Sequence, residues 1–502
     1  MNSAQPPFVV MMVIIPLLTS FLIPILGHWR KDWCFPLVPG AVLISLLCAL
    51  RTMVALYREG PVRYFFGGWY PPWGIIYEID YLNGFISVLI CFLFLLSAVS
   101  SKKSIEKELP FKEVPFYALF LLLFTGLLGI VLTGDIFNLY VFLEVASLTA
   151  YALIAMGKGD AMYSSFRYLI MGTVGASLYL LGVGYIYIAT GSLNMGDLSR
   201  LLPDLFQSKA VLIGFAFVLL GLALKMALFP MHIWLPDAYA AAPSAVSAVI
   251  GPIMTKVMVY VLIRMLFTVF GFGYADKIIN ATGLMTWFGT AAIVFGSLSA
   301  LTQNDFKKML GYILVAEIGY IVGGIGVANT DAVTGALFHL LNDALMIASM
   351  FLTAMMVNYQ AGDQNVDPFI GLFKKMPLTA VILTIGALAI IGVPPTCGFF
   401  SKWYLLMGGI RAGEWGFVAA LLMSTLINVA LFFRILDKAV FIHSRSPGSG
   451  SLEFGGGSEV KEAPWSMMIP GITLAAAILS AGIFNQTIIH NIIRFALPLE
   501  FQ

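Results

Sequence analysis

Runs of apolar residues long enough to cross a bilayer follow one another along nearly the whole chain, separated by short polar or charged segments. They fall near residues 8–27, 35–57, 80–99, 115–133, 136–156, 163–189, 209–229, 243–268, 278–301, 308–328, 331–356, 378–410, 413–437 and 465–485. About twenty apolar residues cross the hydrocarbon core as a helix, so this pattern predicts fourteen transmembrane helices and an all-α polytopic membrane protein. The first run has no basic segment before it and no small-residue cleavage site, so it is expected to be retained as a helix.

The polar segments carry further information. Loops on one side hold fifteen Lys and Arg against seven on the other, which for an even number of spans predicts both termini outside the cytoplasm. Residues 443–464, HSRSPGSGSLEFGGGSEVKEAP, read as a flexible Gly/Ser-rich linker before the last helix. The stretch from Lys102 to Lys112 reads as a short solvated loop.

Composition narrows the function. Of 502 residues, 60% are hydrophobic and 11% charged, and 28 Lys/Arg nearly balance 26 Asp/Glu. Soluble chains carry roughly 25% charged residues, so a nucleic-acid binder and a disordered tail are excluded, and little chain is left for a soluble domain. Cys34, Cys48, Cys91 and Cys397 are scattered with no CxxC pair. A disulfide scaffold is thereby excluded, and no metal, cofactor or redox centre is expected in this chain.

Against that apolar background the ionisable residues stand out. Arg51, Arg167 and Arg264 lie near predicted helix ends, from which a long side chain reaches the headgroups. Glu144 in NLYVFLEVASLTAYAL, Lys225 in LALKMALFP, Lys256 in GPIMTKVMVYVL and Lys402 after VPPTCGFFSKW are harder to explain. Each unpaired charge at a helix centre costs about 2.5–3.5 kcal/mol, so the four must be paired or hydrated. Four such groups on four helices suit a file of proton sites better than structural glue, because burial and a nearby carboxylate push a lysine in opposite directions.

Two of these helices are predicted to break. Pro230 and Pro236 follow Lys225, and Pro394 and Pro395 precede Lys402. Irregular backbone at membrane depth needs surrounding protein or a water-filled cavity, and paired breaks mark transporters built from repeats. His232 and His339 are candidate proton relays, as are the carboxylates Glu317 and Asp343, which have no cation beside them in the sequence and are equally compatible with a neutral acid. Asp135, Asn138 and Asp237 are expected to cap helix ends.

The segments TGDIFNLYVFLEVASLTAYAL, LALKMALFPMHIWLPDAYAAAPSAVSAVIGPIMTKVMVYVLIR, LTQNDFKKMLGY and IIGVPPTCGFFSKW resemble the antiporter-like subunits shared by respiratory complex I, membrane-bound hydrogenases and Mrp cation/proton antiporters. GGWYPPWGIIYEID and the chain length look most like the D-type subunit of the Mrp antiporters, with a membrane-arm subunit of a hydrogenase or complex I-like oxidoreductase as the alternative. The resemblance implies two inverted five-helix repeats at 115–268 and 278–437, which leaves N-terminal helices in 1–114, the linker at 438–464 and a terminal helix in 465–502 on either side. It implies an ion pair between Glu144 and Lys225, a central Lys256 and a terminal Lys402. The implied cargo is H⁺, alone or in exchange for Na⁺, and the implied partners are homologous membrane subunits. Many relatives carry a further lysine where this chain has Ile347, and a histidine or other polar group where it has Glu317. The short segment after the last span is unlike the most distal complex I subunit. An independent solute transporter and a purely structural scaffold are the competing classes.

Overall fold

The computed structural model describes residues 7–362, 369–440 and 461–501. The predicted linker lies mostly outside these residues. The described part is almost entirely helical. Helices α1 (Pro7–Trp29) and α2 (Cys34–Glu59) lead to a β-hairpin of β1 (Val62–Phe65) and β2 (Ile76–Ile79). Then come α3 (Tyr81–Glu108), α4 (Glu113–Leu132), α5 (Ile136–Ala155), α6 (Ala161–Thr190) and the short α7 (Met195–Leu201). They are followed by α8 (Lys209–Lys225), α9 (Trp234–Ala241), α10 (Ser244–Ile263), α11 (Ala281–Leu301), α12 (Phe306–Val327) and α13 (Thr330–Ala361). The last are α14 (Leu372–Lys375), α15 (Pro377–Ile391), α16 (Cys397–Ala412), α17 (Trp415–Val440) and α18 (Trp465–Ile483).

Each of the predicted apolar runs coincides with helix, and twelve of the helices among the described residues are long and apolar enough to cross a membrane. The chain is an all-α polytopic membrane protein with one small hairpin. Helix starts follow from capping chemistry: the carboxylate or amide oxygens of Asp80, Asp135, Asn194, Asp305 and Asn329 accept backbone N–H groups at the N-termini of α3, α5, α7, α12 and α13. Small residues let helices close on one another. A Cβ added to Gly289 of α11 would lie 2.6 Å from the Gly323 Cα of α12.

The burial of the helices is uneven, and that decides where chemistry can sit. The most apolar stretches of α10, α12 and α13 are 100%, 94% and 94% buried, against 39% for α1 and 33% for α2. Lys256, Glu317, His339 and Asp343 all lie on the three enclosed helices.

Several expectations need correction. The charged stretch from Lys102 continues α3 to Glu108, because Ser104 and Ile105 pack inward while Lys102, Lys103 and Lys107 face out; only the following four residues form a loop. The hairpin, paired Val62↔Ile79 to Phe65↔Ile76, had no counterpart among the predicted elements. Both predicted breaks are present. The chain turns between Lys225 and Trp234, with Ala227 at φ 57°, and between Ile391 and Cys397. Pro236 falls in the first turn of α9, where no amide donor is needed, so the interruption lies before it.

Candidate functional site

The break after α8 places Lys225 at the last helical position, enclosed on nearly all sides. Its Nζ lies 3.5 Å from Glu144 Oε1 on α5 and donates to Ser147 Oγ at 2.7 Å, one turn further along that helix. The expected pair therefore exists as a contact, with the serine hydroxyl as the shorter partner. The carbonyl of Leu224, at the break, accepts from Trp234 Nε1 at 3.2 Å as well as from Ala227 N.

Lys256 sits in the middle of α10 with Asp343 of α13 opposite, Nζ to Oδ2 2.6 Å, both side chains sealed from the surface. The contact is an ion pair by distance, but neither atom meets the geometry of a hydrogen bond, so both retain unused hydrogen-bonding capacity. One turn earlier on α13, His339 Nε2 meets Glu317 Oε2 of α12 at 2.5 Å, and His339 Nδ1 meets Ser401 Oγ of α16 at 2.9 Å. Spacing i, i+4 puts His339 and Asp343 on one face of α13. That face gathers Lys256, Asp343, His339 and Glu317 from three helices into one buried group. Ile347 is one turn beyond Asp343 and fully buried.

Lys402 is held differently. Its Nζ donates at 2.5 Å to Ile390 O, a carbonyl near the end of α15, and lies 4.9 Å from the centre of the Tyr320 ring. A helix C-terminus and an aromatic face both favour a cation. Gly392, at φ 92°, turns the chain out of α15, and a Cβ there would meet Lys402 Cδ at 3.3 Å. Tyr320 Oη donates to Ser424 Oγ at 2.6 Å, and Ser424 contacts Ser297 at 2.5 Å, so a hydroxyl branch leads from the Lys402 ring contact to α17 and α11. A cavity of about 140 Å³ adjoins Lys402, between Phe399, Trp403, Leu421 and Thr425.

Among the described residues, no hydrogen bond or ion pair joins the Lys225–Glu144 pair to Lys256. His232 is also apart: its ring stacks on Phe229 with centroids 5.4 Å apart, and its buried Nδ1 has no protein partner. The structure thus brings His339, Glu317 and Asp343 together with Lys256 and leaves His232 outside.

Several peripheral charges depart from expectation. Asp135 caps α5 through Phe137 N and Asn138 N, whereas Asp237 caps nothing and bridges Arg167 at 2.8 Å and Lys308 at 2.9 Å. Arg167 is thus an ion-pair partner and not a headgroup reacher. Arg264 does not reach for headgroups either: it turns inward onto Asp80, with N···O distances of 2.5 and 2.6 Å. Arg51 lies 5.2 Å from the Phe8 ring. Lys307, counted from sequence as a loop residue, is buried and donates to Ala242 O at 2.5 Å. A cavity of about 600 Å³ opens between Glu108, Arg167, Asp237 and Lys308.

Buried ion pairs at the centre of an enclosed helical bundle, flanked by two broken helices, define a membrane protein with titratable groups along its interior. The chain belongs to the NADH:quinone oxidoreductase/Mrp antiporter transmembrane family, whose description matches residues 133–428. It is 43% identical to the NADH-quinone oxidoreductase subunit N of Desulforudis audaxviator, over 97% of this chain and 98% of that one. It is 30% identical to the D-type subunit of the Na⁺/H⁺ antiporter of Alkalihalophilus pseudofirmus, over 86% of each. A chain in the structure of the membrane-bound sulfane sulfur reductase, an archaeal respiratory membrane complex, superposes with a TM-score of 0.88 at 31% identity, covering 97% of this chain and 96% of that one. The chain is therefore an antiporter-like membrane-arm subunit of the kind found in Mrp, complex I and related complexes.

Proposed function

We propose that the chain moves protons across the membrane as one subunit of a larger complex, with Glu144, Lys225, Lys256 and Lys402 as the principal titrating groups and Glu317, His339 and Asp343 linking the last two. The observation that carries this reading is the buried group on α10, α12 and α13, in which an ion pair and a histidine–carboxylate pair share one face of α13. Glu317 Oε1, Asn342 Oδ1 and Asp343 Oδ1, on α12 and α13, are buried with no protein partner. Buried polar atoms of this kind are met by ordered water, which also carries protons between side chains.

The mechanism follows from local electrostatics. Drawing Glu144 away from Lys225 makes the Lys225 proton easier to lose, and a proton arriving near Lys256 weakens its hold on Asp343. A charged pair at 4 Å in an effective dielectric of 20 is worth about 4 kcal/mol, and one charge crossing 100 mV about 2.3, so one pair can gate one proton. Residues 115–268 and 278–437 act as two inverted repeats, each with one broken helix, between N-terminal helices in 1–114 and a terminal helix in 465–502.

Placement in a respiratory-type membrane arm, driven by electron transfer in partner subunits, is favoured by the 43% identity to the subunit N relative. The role of the D-type subunit in an Mrp-type Na⁺/H⁺ antiporter is the second reading, supported by the 30% identity over 86% of the chain. Both termini are placed outside the cytoplasm on the excess of basic residues in alternate loops. The test is proton movement in vesicles holding the assembled complex: Lys225→Ala should abolish it, and undiminished movement with assembly intact would falsify the proposal. Co-purifying subunits separate the two settings, since a redox module marks the respiratory arm and small membrane subunits alone mark the antiporter.

A further inference from the structure

The position of the Lys256 backbone in the bundle is set by α10, and both ends of α10 are tied. At the Arg264 end, the guanidinium makes two contacts to Asp80, at 2.5 and 2.6 Å, and donates through Nε to Tyr260 Oη at 3.0 Å. Asp80 is itself fixed, because its Oδ1 accepts Leu82 N and Asn83 N as the N-cap of α3. Tyr260 Oη in turn donates to Val131 O at 2.9 Å. At the Ser244 end, Glu108 Oε2 accepts Ser244 N at 2.9 Å, satisfying one of the free amides of the first turn of α10. Asn358 Nδ2 donates to Ser244 Oγ at 2.8 Å, and buried Lys307 donates to Ala242 O at the corner between α9 and α10.

The two carboxylates in these ties come from opposite ends of one helix. Asp80 caps the start of α3 and Glu108 is its last residue. Lys256, Tyr260 and Arg264 are spaced i, i+4, i+8, so the outer tie acts on the same stripe of α10 that presents the lysine. Glu108 and buried Lys307 converge on one corner of the chain, holding Ser244 N and Ala242 O, two residues apart. That lysine comes from α12, about ten residues or roughly 15 Å along the helix from Glu317.

We propose that Asp80 with Arg264 and Glu108 with Lys307 form a two-ended clamp, with α3 as its splint, that holds Lys256 in register with Asp343. This rests on the proton-relay reading for its purpose. The four are positioning residues: none of them touches Lys256. Lys307 extends the clamp to the first broken helix, since Ala242 follows α9 directly and α10 starts two residues later. The splint lies outside residues 133–428, the part of the chain matched by the family. A residue far from the relay thereby controls the alignment of its central lysine.

The test uses the assembled complex in membrane vesicles, with Asp80→Asn, Glu108→Gln and Lys307→Met, the conservative partners Asp80→Glu and Lys307→Arg, and Arg411→Gln as a control on a surface pair. Two quantities are read: amide hydrogen exchange along 244–264, with 415–440 as internal reference, and proton movement. The clamp predicts about tenfold faster exchange confined to 244–264, a several-fold drop in proton movement, and recovery of both in at least one conservative variant. Equal loss of protection in 415–440, or unchanged exchange in 244–264 in all three variants, overturns it. Lys307→Met removes the donor to Ala242 O at the other end of α10 and so remains informative if Asp80→Asn fails to assemble. Should Lys225→Ala leave proton movement intact while the clamp variants still loosen α10, the relay reading falls and the clamp stands as a structural fact.

Discussion

Asp343 lies 2.6 Å from Lys256 across the α10–α13 contact, with side-chain exposures of 0% and 3%, so the two face each other as a buried pair enclosed by protein. Removing one partner of a buried pair leaves an uncompensated charge, which costs about 3–5 kcal/mol, while replacing both with apolar residues of similar size is often tolerated. Asp343→Asn should therefore lower the midpoint of thermal unfolding of the purified complex, and Asp343→Leu with Lys256→Met should recover most of the loss. Neither variant should move protons. A double variant that still does so removes Lys256 from the mechanism.

His339 joins Glu317 and Ser401, and its ring packs edge-on against Tyr320 with centroids 5.3 Å apart. A glutamine at this position keeps donor and acceptor atoms but cannot be protonated near neutral pH. His339→Gln is expected to keep the fold and reduce proton movement about a hundredfold, the lower end of what a positioned acid–base group contributes. Glu317→Gln should act in the same direction. Parallel measurement of unfolding temperature separates the two effects.

Gly392 combines a left-handed backbone with close approach to the Lys402 stem, at φ 92° and 3.3 Å. Gly392→Ala must therefore strain the turn and push the lysine away from Ile390 O. A cost of about 1–2 kcal/mol and reduced proton movement are expected. Gly416, beside which an added Cβ meets nothing within 4 Å, is the matched control.

Asp237 serves two cations that are both about one-third exposed, Arg167 and Lys308. Exposed pairs contribute about 0–1 kcal/mol and weaken with salt. Asp237→Asn should change stability little at high ionic strength and somewhat more at low ionic strength, measured as the salt dependence of thermal unfolding.

Asp305 caps α12 just outside the span by accepting Lys308 N at 2.7 Å. Burial pushes its carboxyl above the ordinary value, and the cap bonds together with Lys307 and Lys308 only partly offset this. For an acid with a raised folded pKa, the folded state holds the proton more tightly. Its contribution to stability is thus greatest at low pH and is lost as pH rises from the ordinary carboxylate range through the raised value. Asp305→Asn preserves a good cap, and its unfolding temperature should respond less to pH across that window than the parent's does.

How much could be read in advance differs by feature. Hydrophobic run length located the helices because crossing a bilayer demands about twenty apolar residues whatever the packing, and the prolines marked both breaks. Glu144, Lys225, Lys256 and Lys402 were visible because a charge within an apolar run is costly anywhere in such a protein. The role of Arg264 was not visible: its place near a helix end suggested the headgroups, and the partner that turns it inward is 184 residues away. Lys307 looked like half of a solvated Lys-Lys pair until α9 and α10 closed over it, while its neighbour Lys308 stayed partly exposed.

Sequence by itself determined that this chain lives in the membrane, where its helices run and which charges need an explanation, since each of these follows from the local cost of placing a residue in hydrocarbon. Only the tertiary structure decided which charge answers which. Lys256 with Asp343, Glu317 with His339 and Asp80 with Arg264 are pairs between helices distant in the chain, and a helix pattern fixes the face a side chain occupies without fixing the helix that comes to meet it.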